Sequence, residues 1–187
     1  SEAFRSDQVP VGRVLVELVA LRQPAAVRLQ SLPHPGMKRV ESWALAKTLD
    51  LQPGEIALDP FCGKGSFLLE GAMFWPQASF IGVDSSLEQL ELAAANAAAA
   101  GVEVELRKGE ASALPFEDAS MDAVLTCPPF DRQFSAGPEG VAELYLQTFA
   151  EIARVLKQDQ GRAALLVDNG TIDEVVGALS AARLEVT

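Results

Sequence analysis

Four short stretches carry the side chains from which a reaction centre can be built: DPFCGKGSF at 59–67, VDS at 83–85, GEA at 109–111 and CPPF at 127–130. In the first, Gly63 and Gly65 have no side chain, so backbone can pass close to a ligand. A helix expected to start near Ser66 aims its free amides at the same place. Asp84 follows Gly65 by 19 residues, and a carboxylate there can accept hydrogen bonds from both hydroxyls of a ribose. Glu110 ends the next apolar stretch in the same way. Phe61, Ser85 and Ala111 flank these positions and complete the expected cofactor-binding set.

The identity of the cofactor turns on two residues. A dinucleotide would want a third glycine three positions beyond Gly65, where Leu68 stands. Asp59, at the head of the loop, would also repel a pyrophosphate. A carboxylate there suits a ligand with positive character, such as an ammonium or a sulfonium. The loop therefore points to S-adenosylmethionine and away from NAD. The fourth stretch, Cys127, Pro128, Pro129 and Phe130, follows an apolar run directly. Its prolines suit neither a strand interior nor a helix interior, so it presents one sulfur and one ring on a stiff, kinked backbone.

These loops need elements to hold them. The chain alternates: a strand at 55–61, a helix at 65–75 ended by Pro76, a strand at 79–84, and a helix at 86–100 stopped by Gly101. A strand at 102–110, a strand at 121–127, a helix at 139–157, a strand at 161–168 and a helix at about 171–182 follow, and LEVT begins a last strand. A helix over 37–51 precedes the first of them. Residues 11–22 fit a helix or a buried strand, and periodicity alone does not decide. Nearly all-apolar strands alternating with helices predict an α/β, Rossmann-like doubly wound, mostly parallel sheet. AAANAAAA reads simply as good helix-forming sequence.

The chain has 187 residues, 49% of them apolar and 22% charged. That suits one domain at 37–187 behind an N-terminal extension at 1–36, with a break at SLPHPG. No apolar run approaches the roughly 20 residues of a membrane-spanning helix, and the first ten residues do not read as a signal peptide. Cys62 and Cys127 lie far apart with no CxxC around either, and His34 has no companion histidine. This suits a reducing compartment and predicts no metal site. Cytoplasmic placement is expected, with nuclear or organellar placement open. The net charge is −11, yet residues 1–40 carry six basic and three acidic side chains. Most of the surface therefore repels a polyanion at long range.

With its elements in place, LDPFCGKGSFLLEGA resembles motif I of the class I methyltransferases. It is most similar to the THUMP-associated branch that methylates guanine N2 in RNA, and the similarity runs from about Leu32 to Asp168. The resemblance implies that Asp59, Gly63 and Gly65 form the cofactor loop, with Asp84 on the ribose and Glu110 near the adenine amine. It also implies an RNA substrate, tRNA first. A missing upstream RNA-binding module or an activating partner subunit is then expected to supply phosphate contacts, and the sixth and seventh strands are expected to be absent or cut short. No membrane association is implied.

Amine methyltransferases end their fourth strand with [DNS]-P-P-[FYW]. The first side chain and an adjoining carbonyl accept hydrogen bonds from the amine, aligning its lone pair with the methyl group. The aromatic ring stacks on the base. Pro128, Pro129 and Phe130 match this pattern, while Cys127 is a weak acceptor. A weakened or inactive domain serving as an RNA-binding or assembly subunit is thus the competing expectation. DNA or protein-glutamine amines share the same motif logic. A nucleophilic Cys127 is disfavoured, because it precedes both prolines and nothing nearby lowers its pKa.

Overall fold

Runs such as IALD and AVLT have no polar face, so they must be covered on both sides. The computed structural model, which describes residues 12–15, 32–129, 137–167 and 170–186, covers them with helices. The strands are β1 (Gly12–Leu15), β2 (Ile56–Asp59), β3 (Ser79–Asp84), β4 (Glu105–Lys108), β5 (Ala123–Thr126), β6 (Arg162–Leu165) and β7 (Leu184–Val186). The helices are α1 (Arg39–Thr48), α2 (Ser66–Phe74), α3 (Leu87–Ala100), α4 (Gly137–Val155) and α5 (Ile172–Ala181). The strands form one sheet in the order β4-β3-β2-β5-β6-β1-β7, and every pairing in it is parallel. The expected doubly wound architecture is present.

Alternate residues of each central strand enter different cores. Leu58, Val124 and Ala163 pack with Tyr145, Phe149 and Ile152 of α4 and with Leu179 of α5. Their neighbours Ala57, Leu125 and Ala164 pack with Leu45 and Leu49, Leu68 of α2 and Leu90 of α3. The period of two along a strand sets this division.

One expectation is corrected at the sheet's edge, and one open choice is settled. The strand expected over 102–110 is confined to Glu105–Lys108. Gly101 takes the left-handed conformation that stops α3, and the Val102 N–H turns back to the Ala97 carbonyl, so the helix cap uses backbone that a longer strand would need. At the other edge lies β7, Leu184–Val186. The gap between β6 and β7 is filled by β1, parallel to both. The choice left open for residues 11–22 is thus a strand over 12–15.

Gly82, in the middle of β3, lets α2 and the glycine loop sit close on the sheet. A Cβ at this position would lie 2.5 Å from Leu68 Cδ1 and 2.8 Å from Cys62 Sγ. Gly82→Ala is expected to lower unfolding free energy by about 1–3 kcal/mol, the usual cost of overpacking a core. A urea midpoint equal to that of the unmodified chain would mean that α2 moves away freely.

Candidate active site

Parallel sheets of this kind bind ligands at the carboxyl ends of their strands, where strand order reverses. Here the reversal falls between β2 and β5, neighbours that continue into the glycine loop and the Cys127–Pro129 segment respectively. A groove of about 1130 Å³ lined by Ala72, Phe80, Ala97 and Val102 lies instead at the amino-terminal edge, away from these loops.

The loop after β2 is a tight turn. Gly63 has φ +49° and Gly65 φ +81°, backbone that a residue with a Cβ adopts only under strain. Gly65 then caps α2, its carbonyl accepting from the Leu69 N–H at 2.9 Å. Asp84 anchors this turn. One carboxylate oxygen accepts from the Gly63 N–H at 2.9 Å and the other from the Ser86 N–H at 2.8 Å. Each oxygen keeps a further lone pair for an incoming hydroxyl.

Asp59 is 1% exposed. Its Oδ1 accepts from Thr126 Oγ1 at 2.7 Å and from the Phe61 N–H at 3.1 Å. Its Oδ2 is buried without a hydrogen-bond partner. Burial first, and the nearby Asp84 charge with it, push the Asp59 carboxyl up to about 7. A buried carboxylate oxygen with no partner is costly. An ammonium or sulfonium centre at Oδ2 would relieve that cost, so the residues present fit a cofactor with such a centre.

Glu110 and Ser85 are exposed and Ala111 is buried, and the Gly109 N–H donates to the Asp84 carbonyl at 3.1 Å. The loop that follows Glu110 is held from α4: Arg154 donates to the carbonyls of Leu114 and Phe116 at 3.0 and 2.8 Å.

On the neighbouring strand end, Pro128 is buried, while Cys127 and Pro129 are half-buried. Phe130, with Asp131 and Arg132, lies outside the described residues. Burial first, and then the Asp59 charge, push the Cys127 thiol up to about 12, so it stays protonated and is no nucleophile at neutral pH. The Cys62 thiol is pushed up by the same causes. Among the described residues no cluster of His, Cys, Asp and Glu is arranged to hold a metal ion.

Three residues absent from the expected set organise it. Thr126 bridges the two loops. Tyr145 of α4 donates to the Pro129 carbonyl at 2.7 Å. Asn96, fully buried in the alanine run of α3, accepts from the His34 N–H and donates to the carbonyls of His34 and Lys64. It therefore clamps the 34–37 turn to the glycine loop, where Lys64 Nζ also donates to Pro35 and the Met37 N–H to Ser66 Oγ. The run is more than helix-forming sequence. An asparagine among alanines, and the single tyrosine of the chain on a buried helix face, were the available signals.

Residues 36–184 match the UPF0020 family model, the RMKL-like methyltransferase domain. The chain belongs to that family. Its parallel sheet and flanking helices are those of the class I methyltransferase fold. It is 33% identical over 143 residues to the U6 snRNA (guanine-N(2))-methyltransferase THUMPD2 of Mus musculus, covering 75% of this chain and 26% of the relative. It is 26% identical over 182 residues to the tRNA (guanine(6)-N(2))-methyltransferase THUMP3 of Homo sapiens, covering 89% of this chain and 34% of that one. Among solved structures, TrmN from Thermus thermophilus superposes with a TM-score of 0.65 at 29% identity, over 76% of this chain and 41% of that chain. The domain thus spans about a quarter to a third of the length of these curated relatives. Among the described residues no helix is long and apolar enough to cross a membrane.

Proposed function

We propose that this domain transfers the methyl group of S-adenosylmethionine to an exocyclic amine, guanine N2 in structured RNA, with tRNA as the first substrate to try. The observation that carries the reading is the adjacency of two loops. The carboxylate with an unpartnered buried oxygen, Asp59, is hydrogen-bonded to the residue that leads into Cys127–Pro129. Asp59 would face the cofactor's ammonium group, Asp84 its ribose hydroxyls and Glu110 its adenine amine. Gly63 and Gly65 would bring backbone against it, with Phe61, Ser85 and Ala111 along its sides.

The bound cofactor supplies an electrophilic methyl group. The chain's own part is to hold and orient the amine. The Pro128 carbonyl accepts one amine hydrogen, the prolines fix the direction of that carbonyl, and Phe130 stacks on the base. The names of the relatives support the RNA and guanine-N2 assignments. The acidic composition implies that phosphate contacts come from an upstream module, the basic N-terminal residues or a partner subunit. Residues 1–36 are then an extension that lends β1 to the sheet, and residues 37–187 the catalytic unit, working in a reducing compartment such as the cytoplasm.

Cys127 favours a second reading, in which the domain binds the cofactor but serves as an RNA-binding or assembly subunit. Methyl transfer to an unmodified tRNA transcript separates the two, with the product nucleoside identified by mass spectrometry. N2-methylguanosine is expected, and Cys127→Asn is expected to form it roughly tenfold faster, because an amide oxygen is a much stronger hydrogen-bond acceptor than a thiol. Cofactor binding without product from either protein, at RNA concentrations where the transcript is bound, would leave the assembly reading.

A further inference from the structure

We propose that Thr126 is a positioning residue: its hydroxyl aims the Asp59 carboxyl group at the bound cofactor and ties that aim to the Cys127–Pro129 turn. The inference rests on the reading of Asp59 as a cofactor-binding group.

Thr126 is fully buried at the end of β5. Its carbonyl accepts from the Leu166 N–H at 2.9 Å, which fixes the strand end against the segment after β6. Its hydroxyl donates to Asp59 Oδ1 at 2.7 Å, and the Phe61 N–H donates to that same oxygen at 3.1 Å. Two donors on one oxygen leave Oδ2 as the face of the carboxyl group presented to a ligand, and Oδ2 is the atom without a partner. The next residue along the chain is Cys127. A shift of the carboxyl group on cofactor binding therefore acts on the strand end that carries the substrate turn.

The same hydrogen bond sets when Asp59 is ionised. Burial raises the Asp59 carboxyl and the Thr126 hydroxyl opposes that rise, because it bonds the charged form better than the neutral one. Other charged or titratable groups face the site: Asp84 from β3, Cys62 in the glycine loop, Cys127 beyond β5, and Glu41 of α1 toward Cys127. Both thiols are held high enough to stay protonated through neutral pH. Removing the Thr126 hydroxyl shifts ionisation of Asp59 to higher pH, so a cationic group is bound less well at neutrality.

The experiment is calorimetric titration with S-adenosylhomocysteine between pH 5.5 and 8.5 for the unmodified chain, Thr126→Val, Thr126→Ser and Asp59→Asn. Affinity of the unmodified chain is expected to rise with pH as Asp59 ionises. Thr126→Val should move that rise upward by about one pH unit and weaken binding about tenfold at pH 7, as expected for loss of a hydrogen bond to the charged form. Thr126→Ser should restore both. A Thr126→Val profile that is weaker by one constant factor at every pH, or that does not differ from that of the unmodified chain, overturns the proposal. If Asp59→Asn keeps the affinity and pH profile of the unmodified chain, the assignment of Asp59 itself fails, and that outcome is distinct from the first. If Thr126→Val does not fold, Thr126→Ser and Thr126→Cys carry the comparison, since a thiol is a weaker donor than a hydroxyl.

Discussion

Asp59→Asn is expected to make the cofactor-free domain more stable at pH 8 and to weaken its binding of S-adenosylhomocysteine at least 100-fold. Both effects have one cause. The Asp59 carboxyl titrates near 7 in the folded chain, chiefly through burial, against an ordinary value of 3.8. The folded chain therefore holds a proton that the unfolded chain has released through the interval between those values. The contribution of this group to stability is fully present below about pH 4 and is lost as pH rises through about 7.

Asparagine does not ionise, so the variant lacks that slope. Its amide still accepts from Thr126 and from the Phe61 N–H, while its NH₂ replaces the unpartnered Oδ2. Allowing for that orphaned amide, the net gain is about 1–3 kcal/mol at pH 8 and turns into a loss near pH 4, where the ionisation gain is gone and the cost of the amide remains. Urea unfolding at the two pH values measures it. The loss of affinity follows because a neutral amide offers hydrogen-bond donors to a cationic group. A variant that is stabilised yet binds normally would show that Asp59 does not face the cofactor.

Asp84→Asn should likewise reduce cofactor affinity by 100-fold or more, but with a loss of stability. Each oxygen of Asp84 accepts a backbone N–H, from Gly63 on one side and Ser86 on the other. An amide group has one oxygen, so in either orientation its NH₂ meets an N–H donor. One anchor of the glycine turn is lost and a donor–donor contact replaces it, a cost of about 1–3 kcal/mol for an unsatisfied polar group. The turn that must pass along the cofactor is released at the same moment as one ribose acceptor disappears. Calorimetry with S-adenosylhomocysteine and thermal unfolding report the two effects. Full affinity in a folded Asp84→Asn chain would remove this residue from the ribose.

The two variants have opposite effects on stability for a reason that the linear sequence does not display. Asp59 and Asp84 both end a strand and both lead into a loop at the start of a helix, and either can be recognised as a site carboxylate. Asp59 ends β2, beside the sheet's switch point, buried and with one oxygen unpartnered, whereas both oxygens of Asp84 are occupied by amides of its own and the neighbouring loop. Burial depends on every element packed around a residue, and no local pattern encodes it.

Much of the design is written in short-range chemistry. The period of the strands, the stops at Pro76 and Gly101, the glycines with positive φ and the acids at the strand ends each follow from a few adjacent residues. Together they are enough to specify a doubly wound sheet with a nucleotide-type loop and a stiff Pro-Pro turn beside it. Features that depend on register and on partners far along the chain arise only when the sheet and helices assemble. Thr126 reaches Asp59 across 67 residues, and Asn96 reaches His34 across 62. Residues 12–15 become a strand because the edges of β6 and β7 receive them. A hydrogen bond between two strand ends needs both strands fixed in one register. That register is set by the packing of the whole sheet between its helices and not by the sequence around either residue.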